Sequence, residues 1–205
     1  MPDEQKITPI LIDIPLPIET PRLLLRPVQP GDGAAMFEAQ QETWESLKRW
    51  MDWTEEGLDP DRAEANARKG YARYILREDL WLTGIEKETG RPVIWTGLHR
   101  PDWDNRGFSI GYWVRQSVQG QGYATESTNA LIRYAFNALA ARRVTIGHAE
   151  GNEASRRVIE KLGFTLEGTL QQVHMLPDGR YVDELTYARM DGKDLPPLDV
   201  RWGPP

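Results

Sequence analysis

Residues 114–127, VRQSVQGQGYATES, decide the fold of this chain because they join a strand pattern to a helix pattern through a glycine-containing loop. The first turn of a helix has unpaired N–H groups and the positive end of the helix dipole, so it stabilises a phosphate. Gly120 and Gly122 permit unusual backbone dihedrals and let an anion approach the backbone without meeting a Cβ. The loop is not a P-loop, because no Gly-Lys-Ser/Thr follows, and it lacks the third glycine of a dinucleotide-binding loop. The stretch therefore predicts either an anion-binding loop or a tight turn between a strand and a helix.

Outward from this loop, the hydrophobic pattern predicts one mixed α/β domain. Three β-rich runs before the loop form an antiparallel meander with a hairpin at Glu88-Thr89-Gly90. After the loop, helix, strand and helix alternate, and a closing hairpin turns at residues 177–180. We expect a mixed, mostly antiparallel central sheet of about seven strands with a parallel strand–helix–strand–helix unit. The predicted strands are 22–27, 81–86, 92–99, 108–114, 144–148, 164–176 and 181–190. The predicted helices begin after Asp32, run in pieces over 44–75, span 123–140, and extend from Asn152 to Gly163.

The two ends of the chain are predicted to lie outside this domain. Residues 1–18 form an extended, proline-punctuated lead-in, and the domain spans residues 19–192. Residues 193–205 form a Pro-rich tail that we expect to be poorly ordered. Within the domain, Asp32 is expected to cap the first helix.

The composition excludes several functional classes. The chain has 205 residues, a net charge of −6 and no cysteine, so it has no disulfides, thiolate nucleophiles or cysteine metal sites. The excess of acidic over basic residues argues against nucleic-acid binding. No apolar stretch approaches the roughly 18 residues of a membrane span, and the acidic start lacks the pattern of a secretory signal. We therefore expect a cytoplasmic protein that binds neither nucleic acid nor membrane.

The loop and its flanks resemble a known family. Residues 119–124, QGQGYA, match the Gln/Arg-x-x-Gly-x-Gly/Ala loop of the GNAT N-acetyltransferases, and the resemblance covers about 19–190. The supporting matches are Ile110–Val114, Asn152-x-x-Ser155, Leu162-Gly163-Phe164, Glu167-Gly168 and residues 178–183, DGRYVD. The combination resembles the RimJ/RimL branch, which acetylates protein N-termini, notably those of ribosomal proteins. It implies the GNAT fold and an N-acetyltransferase that uses acetyl-CoA and releases coenzyme A.

The same resemblance implies which residues bind acetyl-CoA. The loop should cradle the pyrophosphate, the end of strand 110–114 should pair with the pantetheine arm, and Asn152 and Ser155 should face the thiol end. Arg156 is near enough to reach the phosphates or the arm. The implied cofactor-binding residues are Tyr112, Trp113, Val114, Gln119, Gly120, Gln121, Gly122, Tyr123, Ala124, Thr125, Asn152, Ser155 and Arg156. The chemistry requires no metal.

Transfer of an acetyl group from a thioester to an amine needs a neutral amine and a proton for the leaving sulfur. Ser155 is predicted to orient or relay that proton, the alternative being a serine that only hydrogen-bonds near a helix start. Ser109 stands where relatives often carry a basic glutamate, and His174 stands where close relatives of the RimL type carry one. His174 is the predicted base, with a hydrogen-bonded strand residue as the alternative. His148 and His99 are weaker candidates.

Trp44, Trp50 and Trp53 are predicted to line the acceptor groove, with core packing as the alternative. An α-amine has a pKa of about 7.7–8.0 and a lysine side chain about 10.4, so the missing carboxylate base favours an α-amine or a weakly basic small amine. The resemblance implies that the acceptor is a protein N-terminus, of the ribosomal type. A small-molecule amine acetyltransferase and a non-catalytic acyl-CoA sensor are the alternatives. The branch often closes its groove with a second subunit, which by analogy suggests a homodimer.

Overall fold

Nine strands and four helices run through residues 8–204, the part of the chain that the computed structural model describes. The strands are β1 (Ile18–Glu19), β2 (Leu23–Pro27), β3 (Leu80–Glu86), β4 (Pro92–Asp102), β5 (Gly107–Val114), β6 (Arg143–Ala149), β7 (Thr165–Met175), β8 (Tyr181–Arg189) and β9 (Arg201–Trp202). The helices are α1 (Gly33–Trp50), α2 (Pro60–Ile75), α3 (Tyr123–Ala138) and α4 (Glu153–Lys161). Short 3-10 turns lie at Pro9–Leu11, Asp52–Glu56 and Gln116–Val118.

The strands form one mixed sheet in the order β7-β8-β6-β5-β4-β3-β2-β1-β9. Within the described residues every neighbouring pair is antiparallel except β5 and β6, which are parallel. The predicted mixed sheet and its parallel unit are confirmed. The strand count of about seven was too low, because β1 and β9 have two residues each and so show no alternation in the sequence.

The two added strands lie in the segments that were expected to be outside the domain. Ile18 in β1 is fully buried and pairs with Trp202 in β9, and the Trp202 ring contacts that of Tyr134 edge-on at 5.7 Å. The Asn129 side-chain amide donates to the Pro196 carbonyl at 2.9 Å. The expectation of a poorly ordered tail is therefore wrong over residues 193–204. Residues 1–7 of the predicted lead-in and Pro205 lie outside the described residues.

The start of α1 also departs from its prediction. Asp32 occupies the capping position, but its carboxylate pairs with the Arg26 guanidinium at 2.7 Å and makes no capping bond. Glu64 of α2 instead accepts the backbone N–H groups of Gly31 and Gly33 at 3.1 Å. A Cβ on Gly33 would lie 2.4 Å from the Glu64 Cα, so the two helices meet at this glycine.

Neighbouring residues of β4 show that the sheet separates two cores. Ile94 packs with Leu131 of α3 in one buried cluster, whereas Trp95 packs with Met36 of α1 and Ala67 of α2 in another. Because successive residues of a strand point to opposite faces, α3 and α4 cover one face of the sheet and α1 and α2 cover the other.

The parallel pair of strands separates part of the way along its length. Residues 107–110 of β5 pair with residues 143–146 of β6, and the pairing ends there. Beyond that point β5 stays paired with β4 as far as Val114, and β6 stays paired with β8 as far as Ala149. The facing edges of residues 111–114 and 147–149 therefore have no strand partner within the described part of the chain, and a gap opens between them.

Candidate active site

A cleft of about 1180 Å³ opens at the gap between β5 and β6. Its lining comes from α1, the 3-10 turn Asp52–Glu56, α2, β3, β4, β5, the loop before α3 with the first turn of α3, β6, α4, β7 and β8. The lining includes the predicted cofactor residues Tyr112, Trp113, Val114, Gln119, Gly120, Gly122, Tyr123, Ala124, Thr125, Asn152 and Ser155. The cleft thus brings the glycine loop, the open edge of β5 and the start of α4 into one space.

The glycine loop has the backbone geometry that its sequence predicts. Gly120 and Gly122 have φ of +75° and +87°, in the left-handed region. Gly122 is the N-cap of α3, and the first intrahelical bond runs from the Glu126 N–H to its carbonyl at 3.0 Å. The earlier N–H groups of the first turn have no intrahelical acceptor. A Cβ on Gly120 would meet no atom within 4 Å, so this backbone is open to a ligand.

Side chains from distant segments fix the loop on both sides. The Arg115 guanidinium, 1% exposed, donates to Glu38 of α1 at 3.0 Å. Arg22 donates to the Gln121 carbonyl at 3.0 Å and to the Glu126 carboxylate at 2.6 Å. Sequence reasoning missed Arg22 and Arg115, because each acts on residues that are close only after folding.

Tyr123 is oriented by the same group of side chains. The Arg22 guanidinium lies 4.2 Å from the centre of the Tyr123 ring. The Tyr123 hydroxyl donates to Glu86, and this hydrogen bond holds the pKa of the Glu86 carboxyl below its usual range. Because Tyr123 is only 4% exposed, its side chain is largely covered, and a ligand in the cleft would contact mainly its backbone.

At the other end of the cleft two hydroxyl groups meet across the sheet. The Tyr112 hydroxyl lies 3.2 Å from the Ser155 Oγ. Burial raises the pKa of Tyr112 to about 12, so its hydroxyl stays protonated at neutral pH. Asn152 caps α4, its side-chain oxygen accepting the Ser155 N–H at 3.2 Å. Asn152 therefore holds Ser155 in place, while the Ser155 hydroxyl is shared with Tyr112.

The structure does not bring two of the predicted cofactor residues into the cleft. Arg156 forms ion pairs with Glu153 at 2.6 Å and Glu160 at 2.7 Å on its own helix. The cations of α4 that line the cleft are Arg157 and Lys161. The Gln121 side chain turns back to the Ser117 carbonyl at 3.3 Å. For Arg156, the three- and four-residue spacing from acidic residues was a signal that could have indicated a solvent-facing position.

Three tryptophans lie next to one another on the α1 and α2 face of the cleft. The rings of Trp95 and Trp113 are nearly parallel with centres 4.2 Å apart, and Trp53 lies 6.3 Å from Trp113. Of the three tryptophans predicted for the acceptor groove, Trp50 and Trp53 line the cleft, whereas Trp44 is not among its lining residues. Sequence reasoning missed Trp95, which also lines the cleft. Its position beside Trp113 depends on the register of β4 and β5, which pairs the two residues.

The three histidines all line the cleft but in different surroundings. His174 lies 3.5 Å from an Asp52 carboxylate that is 87% exposed. His148 is buried, with Nδ1 2.9 Å from the Ala149 carbonyl and Nε2 3.3 Å from the Tyr187 hydroxyl. His99 has Nδ1 2.7 Å from the Asp79 carboxylate. His148 and His99 thus have hydrogen-bond partners inside the protein, whereas His174 lies beside an acid that is exposed to solvent.

Two features are absent from residues 8–204. No group of three or more acidic or histidine side chains is arranged to hold a metal ion. No helix among these residues is both long and apolar enough to cross a membrane.

Comparisons with known proteins agree with this architecture. Residues 22–165 match the family model described as an acetyltransferase (GNAT) domain. The chain is 31% identical over 164 residues to YdaF of Bacillus subtilis (strain 168), provisionally named a ribosomal N-acetyltransferase, covering 78% of this chain and 84% of YdaF. It is 38% identical over 125 residues to the ribosomal-protein-serine acetyltransferase of Escherichia coli (strain K12), covering 60% and 63% of the two chains.

Two solved structures share the fold at lower identity. One is RimL, a ribosomal L7/L12 alpha-N-protein acetyltransferase in complex with coenzyme A, with a TM-score of 0.79 and 23% identity over 86% of this chain and 100% of that chain. The other is the microcin C7 self-immunity acetyltransferase MccE in complex with acetyl-CoA and AMP, with a TM-score of 0.77 and 20% identity over 83% and 93% of the chains. At these identities the likeness establishes the fold.

Proposed function

The chain belongs to the acetyltransferase (GNAT) domain family and is an acyltransferase of the RimJ/RimL-like type, and on that premise we propose that it transfers the acetyl group of acetyl-CoA to the α-amine of a protein N-terminus. The observation that carries the proposal is the single cleft that joins the glycine loop, the open edge of β5 and the Tyr112–Ser155 pair. The two similar solved structures hold coenzyme A or acetyl-CoA, which supports the same ligand class here.

The proposed cofactor site uses backbone more than side chains. The N–H groups of Gly120 and of residues 122–125, at a helix start, suit a pyrophosphate. The edge of residues 111–114 that faces the gap suits an extended pantetheine arm, which would add to it as a further strand. Arg157 and Lys161, rather than Arg156, supply the positive charge from α4. Acetyl-CoA contributes the thioester, and the protein contributes position and proton transfer.

Ser155 and Tyr112 are proposed to deliver the proton that the leaving sulfur needs. A serine hydroxyl alone is too weak an acid at neutral pH. Ser155, however, lies at the N-terminus of α4, where the helix dipole favours negative charge, and it is 3.2 Å from the protonated Tyr112 hydroxyl. A proton given up by Ser155 can be replaced from Tyr112, so the pair forms a relay.

An α-amine fits the acceptor half of the cleft on energetic grounds. At neutral pH a lysine side chain needs roughly 3 kcal/mol more than an α-amine to lose its proton. The tryptophans Trp50, Trp53 and Trp113 offer flat apolar surfaces for the first residues of a peptide. The ribosomal-protein acceptor named for the E. coli relative supports a protein N-terminus of that kind.

Binding and turnover measured together test the proposal. Calorimetry with coenzyme A measures the cofactor site, and acetyl-CoA turnover is followed by a thiol reagent, which reads only released coenzyme A because the chain has no cysteine. The acceptors are a peptide with an N-terminal serine and an internal lysine, the same peptide with its α-amine blocked, and spermidine. We expect turnover with the open peptide alone and acetylation of its α-amine by mass spectrometry.

Each other result contradicts a specific part of the proposal. Turnover with spermidine alone indicates a small-molecule acetyltransferase. Binding of coenzyme A without turnover on any amine indicates a sensor, and no binding removes the cofactor site altogether. The predicted homodimer and cytoplasmic location stay predictions, which light scattering and cell fractionation test.

A further inference from the structure

The cleft contains a histidine–aspartate pair at the position where sequence reasoning found no carboxylate base. His99 of β4 is the cross-strand partner of Ser109 of β5, and Ser109 stands where relatives often carry a glutamate. We propose that His99, oriented by Asp79, is the catalytic base that takes a proton from the acceptor amine. This inference rests on the proposed function and names a base for it.

The hydrogen bond to Asp79 decides which ring nitrogen of His99 can accept a proton. Nδ1 lies 2.7 Å from the Asp79 carboxylate, whose side chain is only 13% exposed. An ionised carboxylate accepts hydrogen bonds and donates none, so Nδ1 carries the hydrogen and Nε2 carries the lone pair. No hydrogen bond among the described residues uses Nε2. The pair therefore presents a basic nitrogen with a fixed tautomer.

Two glycines place the His99 ring against the strand that borders the gap. Gly97 and Gly111 are cross-strand partners, and a Cβ on Gly97 would lie 3.1 Å from the His99 Cε1. A Cβ on Gly111 would lie 3.2 Å from the ring Cδ2 and 3.5 Å from Nε2. The ring thus lies across both glycines, and its Nε2 is on the side of Gly111 in β5. Glycine inside a strand commonly marks such a close approach.

The other two histidines are less suited to this role. His148 uses both ring nitrogens in hydrogen bonds. His174 lies 3.5 Å from an exposed Asp52 carboxylate, which is too long for a well-formed hydrogen bond and leaves its tautomer open. His99 alone among the three has a short bond to a buried acid together with an unused nitrogen.

Several charged groups share the space around this pair. The Arg73 guanidinium of α2 lies 3.4 Å from the Asp79 carboxylate, and Arg100 follows His99 in β4. The remaining charged or titratable side chains of the cleft lining are Asp52, Tyr112, Tyr123, His148, Arg157, Lys161, His174 and Glu184. Arg73 pairs with one carboxylate oxygen of Asp79, and the other oxygen accepts the hydrogen bond from His99 Nδ1.

The proposed step conserves protons and electron pairs. The acceptor ammonium gives one proton to His99 Nε2, and the nitrogen lone pair so released forms the N–C bond to the acetyl carbon. The C–S bond breaks and the sulfur keeps its electron pair. The attacking nitrogen loses its second proton to water, and the sulfur gains a proton from Ser155, which water replaces through Tyr112. The products are the amide, the thiol of coenzyme A and one proton, which His99 returns to water.

The test measures the pH dependence of kcat/KM with acetyl-CoA and the peptide with an N-terminal serine. It compares the wild type with four variants: His99→Gln, Asp79→Asn, Asp79→Glu and His174→Ala. Loss of a general base lowers the rate by about 10²-fold or more. We expect that loss in His99→Gln, a similar loss in Asp79→Asn, and partial recovery in Asp79→Glu. His174→Ala should keep the acid limb of the wild-type profile. Coenzyme A affinity by calorimetry should be unchanged in all four, which excludes misfolding.

A weakly basic acceptor provides the matched control. Hydroxylamine is largely neutral at pH 7 and needs no base, so His99→Gln should retain most of the wild-type rate with it. If His99→Gln keeps the wild-type rate and acid limb with the peptide, or if His174→Ala removes that limb instead, the assignment of His99 is overturned while the acetyltransferase stands. If the wild type acetylates no amine, the proposed function fails and this inference fails with it.

Discussion

In the proposed cofactor half of the cleft the lining residues lie within one stretch, residues 109–161, whereas the proposed acceptor half combines α1, the 3-10 turn Asp52–Glu56, α2, β3, β4, β7 and β8. The cofactor half offers backbone groups at Gly120, Gly122 and the open edge of β5. The acceptor half offers rings and titratable side chains, such as Trp53, His99 and His174. A backbone site tolerates many side-chain changes, so the two halves can diverge independently.

The largest expected effect comes from the residue between the two halves. Ser155→Ala should lower kcat by about 10²-fold because the leaving sulfur loses its proton relay, while the dissociation constant of coenzyme A should change little. Stopped-flow turnover and calorimetry measure the two quantities. A wild-type kcat in this variant would remove Ser155 from the chemistry.

Tyr112→Phe sharpens the same comparison. The tyrosine hydroxyl has its pKa raised to about 12 by burial, so it should contribute no basic limb to the pH–rate profile at neutral to mildly alkaline pH. Its loss should lower kcat less than the loss of Ser155, because Ser155 can still exchange protons with water. A larger effect of Tyr112→Phe than of Ser155→Ala would reverse the proposed order of the relay.

The next effect tests the backbone half alone. Gly122 has φ of +87°, and a β-branched residue there costs about 1–2 kcal/mol, with a Cβ that would lie 3.5 Å from the Arg22 guanidinium that holds the loop. Gly122→Val should therefore raise the dissociation constant of coenzyme A at least about tenfold. Gly90→Val is the matched control, since Gly90 has φ of +71° in the β3–β4 hairpin, outside the cleft. Equal losses of affinity in both variants would point to general destabilisation.

The same division explains how far the sequence could be interpreted. The loop, the strand before it and the helix after it follow one another in the chain, so residue type and periodicity predicted them and the fold. Trp53 and Trp113 are 60 positions apart, and Asp79 and His99 are 20 apart. Their contacts depend on strand register and helix packing, which no local pattern specifies.

The errors have equally physical causes. Arg156 was assigned to the cofactor because it is close to Ser155 in sequence, but successive helical residues point in different directions, and Glu153 and Glu160 hold it on another face. Asp32 has the residue type of a helix cap, but Arg26 binds its carboxylate. Ion pairs decided both cases, within α4 for Arg156 and with Arg26 of β2 for Asp32.

A smaller effect is expected on the acceptor half. Trp53 stands 6.3 Å from Trp113 and lines the cleft, so Trp53→Ala should raise the KM for the acceptor peptide by about fivefold, in line with the loss of one aromatic contact. The affinity for coenzyme A should not change. Trp44→Ala is the control, since Trp44 does not line the cleft. An effect on coenzyme A affinity in Trp53→Ala would mean that the two halves are coupled.

The smallest expected effect separates two neighbouring arginines of α4. Arg157 lines the cleft, so Arg157→Ala should weaken coenzyme A binding by about threefold at low salt, the size expected for an exposed charge pair, and by less at high salt because the charge is screened. Arg156→Ala should leave the affinity unchanged, because Glu153 and Glu160 already hold that guanidinium. Calorimetry at two ionic strengths measures both variants. The opposite result would be a salt-dependent loss of coenzyme A affinity in Arg156→Ala and no loss in Arg157→Ala. It would return Arg156 to the cofactor site, where its proximity to Ser155 in the sequence had placed it, and would show that the ion pairs on α4 open when the cofactor binds.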